Sequence, residues 1–381
     1  MGDRDSYREH FFHHNWKTGP PPPHVTDGCH WCQLRAFPTH RQYPVTIVNK
    51  TGDGATLPKD FRFITHSILT QGVRAAEASF RSGCACTDAR ACRYDGCECL
   101  SDMLWDEDED EVMGDDGDDD GGNNNDDDSD SDAEASRRDK ARKKTQKRAK
   151  FAYHSQGAKA GLLRSRYLDS REPIYECHEG CACAAASGAD SMTDGGADSG
   201  EACANRVVER GRRIPLQIFR TEDRGWGVRT LVDLHKGQFV DRYLGEILTA
   251  REANHRRSVA TMARRKDVYL FALDKFSDAD SLDSRLAGPP LECDGEFRAG
   301  PTRFINHSCS PNLRIFARVG DHADKHIHDL AFFAVRNIDA GDELTFDYVD
   351  GIMDLAADAR HHVAGMTPCL CKSANCRKFL W

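Results

Sequence analysis

The chain has 381 residues, 39% of them hydrophobic, which suffices for one large domain with a smaller companion or for two ordinary domains. No apolar run approaches the roughly 20 residues of a membrane helix, and the polar, proline-ended stretch 1–23 lacks the apolar centre of a secretion signal. We therefore expect an intracellular protein without a membrane association. The formal net charge of −10 says little about ligands, because an acidic run at 106–134 and a basic run at Arg137–Lys150 dominate it.

The first part of the chain carries no catalytic signature. Residues 1–78 form an N-terminal region in which Pro44–Asn49 has strand character. Residues 101–150 are of low complexity and cannot bury enough apolar surface to fold, so we expect a disordered insertion. Its basic run, Arg137–Lys150, suits nuclear import or nucleic-acid contact. The acidic half could serve only as a flexible charged linker.

From residue 212 onwards the pattern predicts many short strands separated by turns and a single helix at Ala250–Arg264. The strands do not alternate with helices, and no glycine-rich loop follows a strand, which disfavours a doubly wound fold. The predicted strands are Pro215–Arg220, Trp226–Thr230, Gln238–Leu244, Val268–Leu273, Leu313–Val319 and Leu330–Val335.

Sixteen cysteines in an intracellular chain favour metal binding over disulfides. Nine form two clusters on either side of the insertion, and the second cluster is interrupted by the loop-like stretch Ala184–Ala202. These nine are Cys84, Cys86, Cys92, Cys97, Cys99, Cys177, Cys181, Cys183 and Cys203. Nine thiolates fill two separate four-ligand zinc sites only with one thiolate left over, but they fill three zinc sites completely if three thiolates bridge. Sites closed by thiolates are structural, and the folding of both segments should depend on zinc.

A third group of cysteines, Cys369, Cys371 and Cys376, stands at the C-terminus and is one ligand short of a zinc site. Cys309, within Asn306–Cys309, is the natural fourth ligand and would tie the C-terminal tail to the centre of the domain. Two further sets carry weaker signals. Cys29 and Cys32 have metal-like spacing without a second pair and are expected to be unligated, and Cys293 is expected in the core.

Four short blocks resemble the signature blocks of SET-domain lysine methyltransferases. They are Gly225–Gly227, Tyr243–Glu246, Arg303–Cys309 and Glu343–Tyr348. The cysteine clusters before and after them resemble the pre-SET and post-SET modules of the suppressor-of-variegation class. Within that class the chain is most similar to fungal heterochromatin enzymes that methylate lysine nine of histone H3 and are required for DNA methylation. It departs from them in the longer spacing between Cys183 and Cys203.

The resemblance implies a mostly β SET fold of several short sheets with a knot-like C-terminal crossing. A pre-SET zinc-cluster module at 79–211 would precede the SET domain at 212–350, and a post-SET zinc tail at 351–381 would follow it. The implied activity is methyl transfer from S-adenosylmethionine to lysine nine of the histone H3 tail, to the di- or trimethyl state. It places the protein on heterochromatin in the nucleus, with heterochromatin proteins as partners and four zinc ions per chain.

The resemblance also assigns roles to individual residues. Tyr348 and Tyr243 would supply hydroxyls at the reacting centre. The cofactor would contact Arg224, Gly225, Trp226, Tyr269, Arg303, Asn306 and His307. The lysine channel would be formed by Phe271, Asp274, Phe346 and Trp381, with Asp274 facing the basic peptide. A phenylalanine at position 346 leaves room for a multiply methylated amine, which is why di- to trimethylation is expected.

Other interpretations of the same residues stay open at this point. Aromatic residues on strands, such as Phe271, Phe346 and Tyr243, are usually core, and Asn306 with His307 could cap a turn. The whole chain could be a non-catalytic, zinc-organised chromatin-binding module, or a methyltransferase for another lysine or a non-histone protein. Nucleic-acid binding through the basic run could coexist with catalysis.

Overall fold

The structure is a computed structural model that describes residues 28–87, 91–93, 97–101, 151–154, 157–183, 203–262, 269–349 and 367–380. The predictions for the basic run Arg137–Lys150 and most of the insertion, for the loop Ala184–Ala202 and for Trp381 lie outside these residues. Within them, no helix has the length and apolar character required to cross a membrane.

Short strands make up most of the regular structure in the described residues. In chain order they are β1 (Val45–Val48), β2 (Arg62–Phe63), β3 (Ile68–Leu69), β4 (Ile174–Tyr175), β5 (Leu216–Arg220), β6 (Trp226–Thr230), β7 (Phe239–Tyr243), β8 (Glu246–Leu248), β9 (Leu270–Ala272), β10 (Glu292–Asp294), β11 (Arg298–Ala299), β12 (Asn306–His307), β13 (Leu313–Val319), β14 (Asp329–Ala334) and β15 (Glu343–Phe346). The six strands predicted after residue 212 are all present, and so is a strand within Pro44–Asn49.

The helices are few and mostly short. The α-helices are α1 (His30–Arg35), α2 (Ser165–Ser170), α3 (Ala250–Met262) and α4 (Ser284–Ala287). The 3₁₀ turns are Ala78–Phe80, Ala91–Arg93, Glu98–Leu100, Gly157–Lys159, Pro301–Phe304 and His322–Ile327. Helix α3 confirms the helix predicted from residue 250, and the last two residues of that prediction lie outside the described part.

The strands form four separate sheets, as expected for a mostly β SET fold. Their strand orders are β1-β5-β6-β15-β12, β4-β13-β14-β7, β3-β8-β10-β9 and β2-β11. The N-terminal region takes part in three of them, because β1 pairs in parallel with β5, β2 with β11 and β3 with β8. Its side chains Leu34, Val45 and Phe61 accordingly belong to the same apolar core as strands β5 and β6.

Strand β15 carries the chain crossing near the C-terminal end of the SET segment. It lies between β6, with which it is antiparallel, and β12, with which it is parallel. The buried side chain of Asn312 accepts a hydrogen bond from the Thr345 N–H and donates one to the Glu343 carbonyl, both at 2.8 Å. The Ser308 N–H donates to the Phe346 carbonyl at 3.0 Å. A late strand is thus held inside an earlier part of the chain, as the knot-like crossing requires.

A second core joins the cysteine-rich segments to the sheet β4-β13-β14-β7. Strand β4 pairs in parallel with β13, and the buried guanidinium of Arg318 binds three carboxylates there. These are Glu176 at 3.0 Å, Glu209 at 2.6 Å and Asp329 at 3.1 Å. A buried arginine with several carboxylate partners keeps its hydrogen bonds satisfied, so this network fixes the cysteine-rich module against the sheet.

Candidate active site and metal centres

Aromatic rings from four strands form one continuous cluster. The ring centroids of Tyr243 and Phe271 lie 4.6 Å apart, and those of Phe271 and Phe346 lie 5.8 Å apart. Phe346 also packs against Phe332 at 5.0 Å and Tyr348 at 4.7 Å. Phe346, Phe332 and Tyr243 are buried, whereas Phe271 and Tyr348 are partly exposed, so the cluster reaches the surface on their side. Such walls suit a long apolar stem that ends in a cationic or amine head.

Both predicted tyrosines orient their hydroxyls by donating to backbone carbonyls. The Tyr348 hydroxyl donates to Ile305 at 2.8 Å, and the Tyr243 hydroxyl donates to Tyr269 at 3.0 Å. Burial raises the pKa of Tyr243 well above its ordinary value, so this hydroxyl stays protonated. A phenol whose proton is engaged in this way presents its oxygen as an acceptor towards a further group.

Four of the residues predicted to bind the cofactor come together around a carboxylate. Glu343 accepts from Arg224 Nη2 at 2.5 Å through one oxygen and from Asn306 Nδ2 at 2.9 Å through the other. The same Asn306 nitrogen donates to the Trp226 carbonyl at 3.2 Å. Gly225 between them has a φ of +74°, the left-handed conformation that glycine adopts without strain. These hydrogen bonds hold the turn 224–226 against Glu343 on strand β15 and against Asn306.

This turn also shows a donor that the protein leaves unsatisfied. The Nε of Arg224 is buried and has no hydrogen-bond partner among the described residues. A buried N–H group without an acceptor lowers the stability of the folded protein unless a bound ligand accepts its hydrogen bond. S-adenosylmethionine carries a carboxylate, which is an acceptor that a guanidinium binds well. The unpaired Nε of Arg224 therefore fits the carboxylate of this cofactor.

Arg303 and Tyr269, also predicted for the cofactor pocket, contact each other. The Arg303 guanidinium lies 4.1 Å from the centroid of the Tyr269 ring. The guanidinium also lies 4.7 Å from the centroid of the Phe61 ring and 4.9 Å from the centroid of the Phe304 ring. Its Nε donates to the Gly295 carbonyl at 2.8 Å.

Cysteine thiols form three buried groups where the pre-SET cluster was predicted. The groups are Cys84–Cys92–Cys97–Cys177, Cys84–Cys99–Cys177–Cys181 and Cys92–Cys177–Cys183–Cys203, with the thiols of each group within 4.8 Å of one another. Contacting sulfurs stand 3.5–3.9 Å apart. A tetrahedral ion with Zn–S bonds of about 2.3 Å places its sulfurs about 3.8 Å apart. The spacing therefore fits zinc.

The sharing of thiols between groups matches the predicted count of three bridges. Cys84 and Cys92 each occur in two groups and Cys177 in all three. Cys86 lies outside the groups, but its thiol interacts with those of Cys84 and Cys92. If Cys86 takes the place of Cys177 in the first group, Cys84, Cys92 and Cys177 would each bridge two of three ions. Every ion would then have four sulfur ligands and no open position for a substrate.

The C-terminal group forms as predicted from Cys309, Cys369, Cys371 and Cys376, whose thiols also lie within 4.8 Å of one another. The backbone N–H of Arg377 points at the Cys309 sulfur at 3.4 Å, an interaction that stabilises a thiolate. The buried Cys293 lies on β10 in the core as expected. Cys29 and Cys32, at the start of α1, belong to none of the thiol groups found in the described residues.

His307 connects this C-terminal group to Tyr348. Its Nε2 lies 3.2 Å from the Cys309 sulfur, and its Nδ1 accepts the Tyr348 backbone N–H at 3.1 Å. Burial, with the charges of Arg377 and Arg224, lowers the pKa of His307 to about 4, against the opposing effect of Asp347. The ring is therefore neutral, so Nδ1 can accept and Nε2 carries the proton towards the sulfur.

Asp274 is the predicted site residue that stands apart from these contacts. It lies in an exposed turn directly after β9, in which the Ser277 N–H donates to its carbonyl at 3.0 Å. Strand β9 is the edge of its sheet and carries Phe271 of the aromatic cluster. Asp274 therefore follows the strand that carries Phe271 but makes none of the ring contacts of the aromatic cluster.

The structure adds three residues that the sequence did not single out. Glu343 receives both Arg224 and Asn306, Phe332 closes the aromatic cluster, and Phe61 covers Arg303. The only sequence signal for Glu343 is its position at the start of the Glu343–Tyr348 block. Phe332 and Phe61 carry no local signal, because buried phenylalanines on strands are common in any core.

Comparisons with known proteins agree with this geometry. The family model of the SET domain matches residues 225–349, and the model of the pre-SET motif matches residues 38–188. The Neurospora crassa enzyme named histone-lysine N-methyltransferase, H3 lysine-9 specific dim-5, is 53% identical over 380 residues, 99% of each chain. The Fusarium mangiferae enzyme H3 lysine-9 specific KMT1 is 54% identical over 357 residues, 93% of each chain.

Solved structures of histone lysine methyltransferases are also similar to this chain. The Neurospora SET domain protein DIM-5, a histone lysine methyltransferase, aligns with a TM-score of 0.63 at 52% identity over 87% of this chain and all of that one. A second structure, from work on the product specificity of histone lysine methyltransferases, aligns with a TM-score of 0.65 at 50% identity over 88% of this chain and 99% of that one. With both motifs matched and its full length shared with these enzymes, the chain belongs to the SET-domain histone-lysine N-methyltransferases of the suppressor-of-variegation class.

Proposed function

We propose that this enzyme methylates lysine nine of the histone H3 tail, using S-adenosylmethionine, and carries it to the di- and trimethyl state. The Neurospora and Fusarium relatives described above, which match nearly the full chain, are named as specific for that lysine. Within the site, the observation that carries the chemistry is the aromatic cluster that ends at the oriented hydroxyls of Tyr243 and Tyr348.

The substrate amine must be neutral to accept a methyl group. A free lysine has a pKa of about 10.4, so its neutral form costs roughly 4–5 kcal/mol at pH 7. A dry environment disfavours the ammonium and lowers that cost, whereas the cation–π attraction of aromatic rings acts on the methylated ammonium product. Phe271, Phe346 and Tyr243 supply this environment, and no metal ion is required at the reacting centre.

The cofactor supplies the methyl group as an electrophile bound to a positive sulfur. The protein's part is to hold the cofactor and the amine in line, which accounts for most of the attainable rate enhancement. Arg224, Gly225, Trp226, Asn306 and His307 would hold the cofactor. The oxygen of the Tyr348 hydroxyl would accept a weak contact from the transferring group, while the hydroxyl proton stays hydrogen-bonded to the Ile305 carbonyl.

The peptide would bind beside the opening of the cluster as an added strand. On the edge strand β9, the side away from β10 has no strand partner within the described residues. An extended peptide can hydrogen-bond to such an edge and direct alternate side chains into pockets. Phe271 on this strand lines the proposed channel, and Asp274 follows it where a basic residue of the tail would lie. Trp381 completes the proposed channel.

The proposed product state depends on the space beside Phe346. Its ring is buried and packs against Phe271, Phe332 and Tyr348, with no hydroxyl directed into the cluster. A tyrosine at this position would add an oxygen that competes with methyl groups on the amine. Phenylalanine therefore favours the di- and trimethyl products.

The proposal extends to the surroundings of the enzyme. A histone tail as substrate places it in the nucleus on heterochromatin, with heterochromatin proteins as partners. The basic run Arg137–Lys150 would contact nucleic acid there. Binding of duplex DNA that weakens steeply with salt and is lost on deletion of this run would support that contact. Binding that survives the deletion would exclude it.

The test is incubation with labelled S-adenosylmethionine and a panel of histone-tail peptides. We expect transfer to the H3 peptide and none to a matched peptide in which arginine replaces lysine nine. Persistent transfer to the arginine peptide would favour another lysine. Cofactor and peptide binding without transfer would favour a non-catalytic module. Tyr348→Phe is the control variant, and we expect it to keep its zinc and to transfer methyl groups more slowly than the wild type.

A further inference from the structure

The charge of Arg303 is enclosed by aromatic rings rather than by carboxylates. Its side chain is 8% exposed, and within the described residues no carboxylate oxygen lies within 4 Å of its guanidinium. Instead it is stacked among Tyr269, Phe61 and Phe304. A desolvated guanidinium depends on such cation–π contacts, so the rings determine where it lies.

One of these rings comes from the N-terminal region, which showed no catalytic signature. Phe61 is fully buried, and its carbonyl accepts a hydrogen bond from His30 Nε2 at 2.9 Å. The residues that follow it are fixed by β2–β11 pairing, with the Arg62 N–H on the Phe297 carbonyl at 2.8 Å. The position of the Phe61 ring is therefore set by the fold of the N-terminal region.

Arg303 in turn is linked through Gly295 to the Tyr269 carbonyl, which orients the Tyr243 hydroxyl. Its Nε binds the Gly295 carbonyl at 2.8 Å, and the Gly295 N–H donates to the Tyr269 carbonyl at 3.0 Å. That carbonyl also accepts the Tyr243 hydroxyl at 3.0 Å. The fit is close, since a Cβ on Gly295 would stand 2.5 Å from the Tyr243 oxygen. A shift of the guanidinium must therefore be transmitted to this hydroxyl.

We propose that Phe61 is a positioning residue for methyl transfer, acting through Arg303 and Tyr269 on the hydroxyl of Tyr243. The N-terminal region then contributes to the position of a catalytic group as well as to the apolar core of the protein. The inference rests on the proposed methyltransferase function and deepens it. A small displacement of a reacting group costs between about tenfold and a hundredfold in rate. Phe61→Leu keeps an apolar side chain but removes the ring face, so we expect a loss of kcat of that size with little change in peptide KM.

Phe63→Leu is the matched control. Phe63 is also buried, lies two residues away and packs against Phe61 at 4.9 Å, but it is not among the rings that contact Arg303. We expect Phe63→Leu to keep kcat close to that of the wild type when both variants are assayed well below their melting temperatures. The active fraction is counted by cofactor titration. Equal losses of kcat in the two variants would overturn the proposal.

A double variant separates positioning from general loosening of the core. If Phe61 acts through the Tyr243 hydroxyl, Phe61→Leu adds little further loss in a Tyr243→Phe background. A full additional loss there would contradict the proposal. Should Phe61→Leu fail to bind zinc or fold, Arg303→Lys tests the next step of the same path, because lysine keeps the charge but loses both the planar stacking surface and the Nε hydrogen bond to Gly295. We expect a loss of kcat with little change in peptide KM, and an unchanged kcat would overturn the proposal. Failure of the wild-type enzyme to methylate any peptide in this assay would count against the proposed function instead.

Discussion

Replacing Glu343 with glutamine should weaken cofactor binding, although this residue is not assigned a direct contact with the cofactor. Both oxygens of Glu343 receive donors, namely Arg224 Nη2 at 2.5 Å and Asn306 Nδ2 at 2.9 Å. A carboxylate can accept at both positions. A glutamine has one acceptor and one donor, so one of the two contacts becomes an unfavourable pair of donors.

The size of the effect follows from the charge and exposure of these groups. A hydrogen bond to a charged partner contributes about 1.5–3 kcal/mol. The side chains of Glu343 and Arg224 are 20% and 22% exposed, so solvent screens part of the interaction. We therefore expect a net loss of about 1–2 kcal/mol after screening. If this lost interaction free energy destabilises the cofactor-binding conformation of the turn 224–226, the dissociation constant for S-adenosylmethionine rises about 5- to 30-fold.

Isothermal titration of the cofactor into Glu343→Gln measures this directly. Glu209→Gln is a close control, because Glu209 also pairs with an arginine, Arg318, and is also 20% exposed, but lies in the cysteine-rich module. We expect the control to bind the cofactor with wild-type affinity. Unchanged affinity in Glu343→Gln, or the same weakening in both variants, would refute the role given to this carboxylate.

Three further outcomes are expected from the site. Phe346→Tyr should shift the products towards mono- and dimethyl-lysine in the mass spectrum of a peptide product, and an unchanged trimethyl yield would contradict the channel argument. Burial raises the pKa of Tyr243, so its hydroxyl stays protonated beyond its ordinary pKa of about 10. The rise of kcat/KM between about pH 7 and pH 10 should therefore report the substrate lysine and keep its shape in Tyr243→Phe, whereas an inflection lost in that variant would assign the titration to the tyrosine. Cys309→Ser should lower the zinc content from about four to about three ions per chain and reduce methyl transfer, and full zinc content would refute the C-terminal site.

The sequence predicted those parts of the structure that have a local pattern. Strands such as Leu313–Val319 are long enough to show a run of β-forming residues, and all the predicted strands are present. The number of cysteines also predicted that three thiols are shared between ligand groups, since each zinc takes four ligands, whereas the membership of each group became known only from the structure. Two-residue strands such as Arg62–Phe63 were missed, because a period of two cannot be recognised over so short a run.

Contacts between distant parts of the chain were the main features that the sequence could not reveal. Phe61 meets Arg303 across more than two hundred residues, and nothing near either residue indicates the other. Glu343 lies within a recognised block, but its pairing with Arg224 depends on the insertion of β15 between β6 and β12. The contribution of Trp381 to the lysine channel stays a prediction, because it lies outside the described residues.

The most direct test of the central claim is fragment mass spectrometry of the H3 tail peptide after exhaustive reaction with the purified, zinc-loaded enzyme. The account predicts di- and trimethylation confined to lysine nine. Methylation at a different lysine, or a product that stops at the monomethyl state, would contradict it.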